Sequence, residues 1–243
     1  MSSANSLFFK FSKAYPIFKN IFLYYNIYIR NFKFFFNSSQ FGEDKKIIKL
    51  FKEKKNGTYL DLGCFHPIRQ NNTYLFHKLG WKGINIDLNP LSIELFNIIR
   101  PKDINICTAV SGKKGLKNLF FDHDLSSLNT ISKNHTLFLK EAFGKKNLKK
   151  KVIKTNTLNN ILKENKIKKI DFMNIDIEGN ELEVLKTLNF KNLDIKVICI
   201  EIVNYDIYSK NIMNNKKKIV SILKKNNYDL KFKTSVNYIF IKK

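Results

Sequence analysis

The sequence predicts an α/β protein built on a mostly parallel sheet with helices on both faces. Three observations carry that prediction. From Phe41 onward, short apolar runs of strand length alternate with stretches of helical periodicity. Two of the runs, Thr58–Leu62 and Lys169–Ile175, read as buried strands. Each then ends in a carboxylate and a glycine before a helix: Thr58-Tyr-Leu-Asp-Leu-Gly-Cys-Phe-His-Pro67 and Ile170-Asp-Phe-Met-Asn-Ile-Asp-Ile-Glu-Gly-Asn-Glu-Leu-Glu-Val-Leu185. In open α/β sheets ligands bind beyond the carboxyl ends of the strands, so two acidic strand ends point to one shared crevice.

Taken in order, residues 1–41 stand apart as a basic, aromatic-rich extension, with five basic residues, no acidic one, and Phe8, Phe9, Phe11, Phe18, Phe22, Tyr24, Tyr25, Phe34, Phe35 and Phe36. The uncharged stretch Asn20–Ile29 is shorter than the ~20 apolar residues a membrane span needs, and no small-residue cleavage site follows an apolar core. Two readings stay open: a segment lying on an anionic membrane face, or a pair of helices packing on the domain. Residues 42–243 form that domain. Strands are expected at Thr58–Leu62, Gly83–Asp87, Ile104–Val110, Lys169–Ile175 and Ile195–Glu201. Asn89-Pro90 caps a helix that Arg100-Pro101 stops. Asn180–Leu188 places Leu182, Leu185 and Leu188 on one helix face, with Glu181, Glu183 and Lys186 outward. Phe120–Lys154 breaks the alternation, holds a lysine-rich turn (Lys145, Lys146, Lys149, Lys150, Lys151) and reads as an insertion over the crevice. A helix near Asn211–Asn226 and an antiparallel hairpin, Tyr228–Phe232 with Val236–Ile241, end the chain.

The net charge of +24 suggests nucleic acid or a membrane surface. Yet only Arg30, Arg69 and Arg100 of the 44 basic residues are arginine, the residue that dedicated phosphate readers exploit. The abundance of Lys, Asn, Ile, Phe and Tyr fits A/T-rich codon usage, so a solvated surface and a selected anionic partner both stand. Cys64, Cys107 and Cys199 lie in strand-like settings without metal or disulfide spacing and read as small buried side chains.

At the first strand end, an acid precedes the only glycine, and Phe65 and Pro67 occupy positions where a dinucleotide dehydrogenase would carry further glycines. Asp87, 26 residues after Asp61, ends the second strand, where a carboxylate accepts hydrogen bonds from ribose hydroxyls. Asp61, Gly63 and Asp87 together favour S-adenosylmethionine over a nicotinamide cofactor.

The run Tyr59–Pro67, then Asn72-Thr-Tyr74, Gly80-Trp-Lys-Gly-Ile-Asn-Ile-Asp87, Asp103-Ile-Asn-Ile106 and Ile170–Leu185 resembles the FkbM family of methyltransferases over roughly residues 40–205. The resemblance implies a Rossmann-like class I methyltransferase fold, seven strands with a C-terminal antiparallel hairpin, and O-methylation of a hydroxyl on a saccharide, glycolipid or related small molecule. Many members carry a small residue and Asn or Gly after the first glycine, where this chain has Cys64-Phe65-His66-Pro67. Carried over, Asp61, Gly63 and Cys64 would line the methionine and ribose end of S-adenosylmethionine, Asp87 would hold the ribose diol, and Ala109, Val110 and Ser111 would border the adenine. Asp176 would lie beside the methyl group with Glu178 in the following turn and Glu201 nearby.

Placing an acceptor oxygen ~3 Å from the methyl carbon can supply roughly 7–11 kcal/mol, and an alcohol gains from a base as it attacks. Asp176 is the first choice and His66 the second; Asp176 could instead serve the following helix N-terminus, and His66 could simply bond within its turn. His77, His123 and His135 carry no motif and read as surface residues. No metal site is required, although Asp176, Glu178 and Glu201 form an alternative oxygen set for Mg²⁺. The chain reads as cytoplasmic, with peripheral contact at the inner membrane face left open. The rival reading is a non-catalytic membrane-associated or interaction protein on the same fold. A nucleic-acid methyltransferase is disfavoured, because Asp176-Ile-Glu-Gly179 stands where an Asn-Pro-Pro-Tyr-like base-flipping motif would be.

Overall fold

The computed structural model describes residues 16–52, 54–123, 126–145, 147–202 and 214–243. In chain order the helices and strands are α1 (Pro16–Tyr24), α2 (Glu43–Ile48), β1 (Thr58–Leu62), α3 (Tyr74–Lys78), β2 (Lys82–Asp87), α4 (Pro90–Ile99), β3 (Ile104–Cys107), β4 (Ala109–Val110), β5 (Gly115–Phe121), α5 (Lys133–Phe143), β6 (Lys149–Asn156), α6 (Leu158–Glu164), β7 (Lys169–Ile175), α7 (Glu181–Thr187), β8 (Asp194–Glu201), α8 (Asn214–Lys225), β9 (Tyr228–Lys233) and β10 (Asn237–Lys242).

Seven strands form one sheet in the order β3-β2-β1-β7-β8-β10-β9. The first five run parallel, and β10 is antiparallel to both β8 and β9. Strand order reverses between β1 and β7, so their adjacent carboxyl ends form the switch point where such sheets bind ligands. Both faces are covered. Leu60, Leu62, Met173 and Ile175 pack with α6, α7 and α8, while Tyr59 and Phe172 pack with Phe76, Trp81 and Ile47 on the other side.

The expected strands fall within a residue or two of those observed, with one difference. The run Ile104–Val110 divides at Thr108, whose N–H donates to Asp87 O at 2.8 Å. Beyond it the chain leaves the large sheet, and β4 joins a second, three-stranded sheet of order β4-β6-β5. The departure from the main sheet therefore begins at Thr108, earlier than the insertion expected at Phe120–Lys154, which holds α5, the end of β5 and most of β6. Lys149, Lys150 and Lys151 do not form a turn: they lie on β6, opposite Phe121, Phe120 and Leu119. Asn89 Oδ1 accepts from Leu91 N at 3.1 Å with Pro90 opening α4, as the motif implied. Cys64 and Cys199 are buried, but Cys107, on the edge strand β3, is exposed.

The described part of the N-terminal segment is helical and packs on the domain. Leu23 and Ile27 join Ile68, Tyr74 and Leu95 in a buried cluster. The opposite side of this segment leaves Ile17, Ile21, Tyr24, Tyr28, Phe32 and Phe36 exposed. No helix among the described residues is long and apolar enough to cross a membrane. Phe8, Phe9, Phe11, Lys146 and the start of the expected helix at 211–213 lie outside the described residues.

Candidate active site

A cavity of about 360 Å³ opens at the carboxyl ends of β1, β2, β7 and β8. That volume lies within the range of small-molecule and cofactor sites. Asp61, Gly63, Cys64, Asp87, Ala109, Val110, Asp176, Glu178 and Glu201 all line it. The insertion supplies another wall through Leu128, Ile131, His135 and Phe138.

The two acid–glycine motifs meet through their backbones. Asp176 N donates to Leu62 O at 2.9 Å, and Gly63 N donates to Ile86 O at 2.9 Å. Gly63 has φ +80°, and a Cβ there would lie 1.7 Å from Asp176 O. Only glycine lets the β1 and β7 ends approach so closely. Its first task is therefore to join the motifs. Gly179 (φ +94°) likewise leaves no room for a side chain, since a Cβ would sit 2.9 Å from His135 Cβ. Glu178 and Phe65 hold positive φ values of 53° and 51° without being glycine, a strained arrangement common at functional sites.

Asp61 is fully buried. Its Oδ2 accepts from Thr73 Oγ1 at 2.7 Å and Asn71 Nδ2 at 2.9 Å, and its Oδ1 from Asn174 Nδ2 at 2.9 Å. Behind it lies Arg100, also fully buried, which donates to Thr73 Oγ1 at 2.8 Å and Asn71 Oδ1 at 2.8 Å and also bonds Pro67 O. Asp61 thus organises the loop after β1 as well as facing the cavity. Asp87 accepts from Phe65 N at 2.8 Å and Asn89 N at 2.7 Å, tying the same loop to α4, and burial pushes its carboxyl up to about 6.

The remaining carboxyls form an acidic end. Asp176 and Glu201 share a hydrogen bond, and burial raises both well above the usual carboxylate range, each reinforced by the charge of its neighbours. Glu178 is raised by burial, and its Oε2 lies 2.9 Å from His135 Nε2. Burial pushes His135 down to about 4, so its imidazole is held neutral beside Glu178. Among the described residues, no group of three or more His, Cys, Asp and Glu side chains is arranged to hold a metal ion. The alternative Mg²⁺ set of Asp176, Glu178 and Glu201 shares the cavity wall without forming such a group.

Three site expectations need correction. His66 does not face this cavity. Its Nδ1 accepts from Ile68 N and Arg69 N, its Nε2 meets Asn26 and Asn31, and burial with nearby arginines pushes it down to about 3. It is not placed as a base. Ser111 is buried and does not line the cavity, unlike Ala109 and Val110. Glu181 is not outward. Its Oε1 accepts from Ile177 N at 3.0 Å and Gly179 N at 3.1 Å, bracing the turn, and burial pushes it up to about 7. Of the histidines read as surface residues, His135 is buried on the cavity wall, while His77 and His123 are partly buried. Nothing in the spacing around His135 signals this, because α5 reaches the site only through the fold of the insertion. Asn174 and Asn180 were missed too: Asn180 Nδ2 donates to Val110 O at 2.9 Å, tying α7 to β4.

Residues 61–230 match the sequence profile of the methyltransferase FkbM domain. Solved structures with a similar arrangement include a TehB-like SAM-dependent methyltransferase from Corynebacterium glutamicum, at 11% identity and TM-score 0.42, covering 85% of this chain and 90% of that one. Another is phosphoethanolamine N-methyltransferase 1 from Haemonchus contortus, solved with phosphoethanolamine and S-adenosylhomocysteine, at 12% identity and TM-score 0.31, covering 84% of this chain and 41% of that one. No curated protein sequence matches the chain significantly.

Proposed function

The chain belongs to the FkbM family of methyltransferases, and from that premise we propose that it methylates a hydroxyl of a saccharide, glycolipid or related small molecule, using S-adenosylmethionine. The observation that carries this reading is the gathering of Asp87, Asp176, Glu178 and Glu201 around one cavity at the strand ends. Carboxyls with raised pKa ionise more readily when a cation arrives beside them. A sulfonium is such a cation, and Asp87 adds an acceptor for a ribose diol. Leu88, Ala109 and Val110 give the same cavity an apolar side for a flat base. When bound, the cofactor supplies a sulfonium-borne methyl group open to in-line displacement.

On this reading Asp87, Gly63 and Cys64 hold the cofactor, with Asp61 fixing the loop that carries them. Asp176 takes the proton of the acceptor hydroxyl, and Glu201, hydrogen-bonded to it, sets its orientation. A raised pKa suits a base that works near neutral pH. The Glu178–His135 pair and the insertion wall exclude water from the reacting face. Asp176→Asn tests the assignment. Turnover should fall on the order of 10²–10⁴-fold, with S-adenosylmethionine affinity within about threefold of wild type. Equal losses in both would mark Asp176 as structural. The exposed strip of Ile17, Ile21, Tyr24, Tyr28, Phe32 and Phe36 further supports peripheral contact of residues 1–41 with an anionic membrane.

A further inference from the structure

A second cavity, of about 280 Å³, lies against the first. Phe65, Ser92 and Ser126–Leu128 line both, so the two share a wall. Their electrostatics are opposite. The first is ringed by carboxyls, whereas the second carries Arg30, Arg69 and Lys145 and, among the described residues, the one acid Asp122. Asp122 is already paired with Lys145 at 2.5 Å. Arg30 and Arg69 make no ion pair among the described residues.

These two residues stand out in a chain whose other cations are almost all lysine. The third arginine, Arg100, is spent inside the fold on Thr73, Asn71 and Pro67. Arg30 comes from the N-terminal segment and Arg69 from the loop after β1, so elements far apart in sequence bring both to one cavity. The Arg69 guanidinium lies 5.6 Å from the Phe65 ring centroid, which restrains its planar fork. Burial and the charge of Arg30 both lower the Arg69 pKa, as expected of like charges held close together. His66, between them in sequence and on the same wall, is held neutral and offers no negative charge. Half-buried guanidinium groups sharing a cavity are costly unless an oxyanion completes them.

We propose that this cavity is the anion subsite for the acceptor, holding a phosphate group through Arg30 and Arg69 while the acceptor hydroxyl reaches Asp176 in the adjoining cavity. The substrate class is then a phosphorylated hydroxyl compound. This inference rests on the methyltransferase reading for the role of the neighbouring cavity, and its test keeps the two apart.

Inorganic pyrophosphate is titrated calorimetrically into the full chain at 0.15 M salt with S-adenosylhomocysteine present, and S-adenosylhomocysteine is titrated separately. Wild type should bind pyrophosphate, and Arg30→Gln and Arg69→Gln should each weaken that binding at least tenfold. Arg69→Lys, which keeps the charge but loses the fork, should also bind more weakly than wild type. Lys224→Gln, on the exposed side of α8, should stay within twofold. S-adenosylhomocysteine affinity should stay within threefold in every variant. Unchanged pyrophosphate affinity in both arginine-to-glutamine variants would overturn the subsite, as would an equal loss in Lys224→Gln, which marks diffuse surface binding. Failure of wild type to bind S-adenosylhomocysteine would overturn the methyltransferase reading instead. Glucose 1-phosphate and phosphatidylglycerol vesicles then separate the sources. Arginine-dependent binding of the first supports a soluble phosphorylated acceptor, and arginine-dependent binding of the second alone supports a lipid-borne phosphate.

Discussion

Single residues near the first cavity do two things at once, and Arg100 shows the consequence most plainly. In the sequence it is the residue before a proline that stops a helix. In the structure it is a fully buried cation joining α4 to Thr73, Asn71 and the Pro67 carbonyl, and through Thr73 to Asp61. Truncating a buried, hydrogen-bonded charge leaves its partners unpaired and costs about 3–5 kcal/mol. Arg100→Met should therefore lower the unfolding free energy by that amount, measured by urea unfolding followed by circular dichroism. A loss under about 1 kcal/mol would show that the network does not hold the loop. Gly63 makes the same point for close approach, since the nearest atom to its absent side chain is a backbone carbonyl of β7.

At the scale of elements, the sequence was legible wherever periodicity or a strand-end motif marked it. The β1 and β7 motifs carry their carboxylates to one cavity because parallel neighbours bring equivalent ends together, which spacing and pattern alone can reveal. His135, Glu181 and Asn180 were not legible in this way. His135 and Asn180 act through partners distant in sequence, and Glu181 looks like any charge on a short helix until its carboxylate is seen folded back on Ile177 and Gly179. The insertion was visible as a break in rhythm, but its lysines sit on β6 because a strand there completes a sheet with β4 and β5. The described N-terminal segment packs one face on Ile68 and Tyr74, while the other leaves an apolar strip exposed. If that strip contacts lipid, the full chain should sediment with phosphatidylglycerol vesicles, lose binding steeply with salt, and bind several-fold more weakly as Ile21→Ser/Phe36→Ser. Equal sedimentation of the double variant would rule the strip out as the contact.

Over the whole molecule, a net charge of +24 surrounds a site whose own groups are acidic and held partly protonated. For Glu181 the sign is definite. Its folded pKa, about 7, lies above the ordinary carboxylate value, so its contribution to stability is fully present below about pH 4 and is lost as pH rises through 7. One pK unit is about 1.4 kcal/mol, which puts this single group on the order of 3 kcal/mol. Glu181→Gln keeps the acceptor oxygen for Ile177 and Gly179 without the ionisation. Its stability relative to wild type, from urea unfolding at 0.2 M salt, should grow from pH 4.5 to about 7 and level off above it; a flat difference throughout would contradict the burial of this acid. The same raised acids bear on the central claim, that the strand-end cavity takes S-adenosylmethionine. Calorimetry of the full chain with S-adenosylmethionine, run at pH 7 in two buffers of different ionisation enthalpy, tests it most directly. Saturable binding with net proton release is expected, as a cation entering beside Asp87, Asp176 and Glu178 draws them into their ionised forms, with strongly weakened binding in Asp87→Ala. Absence of binding by the wild-type protein would contradict that claim.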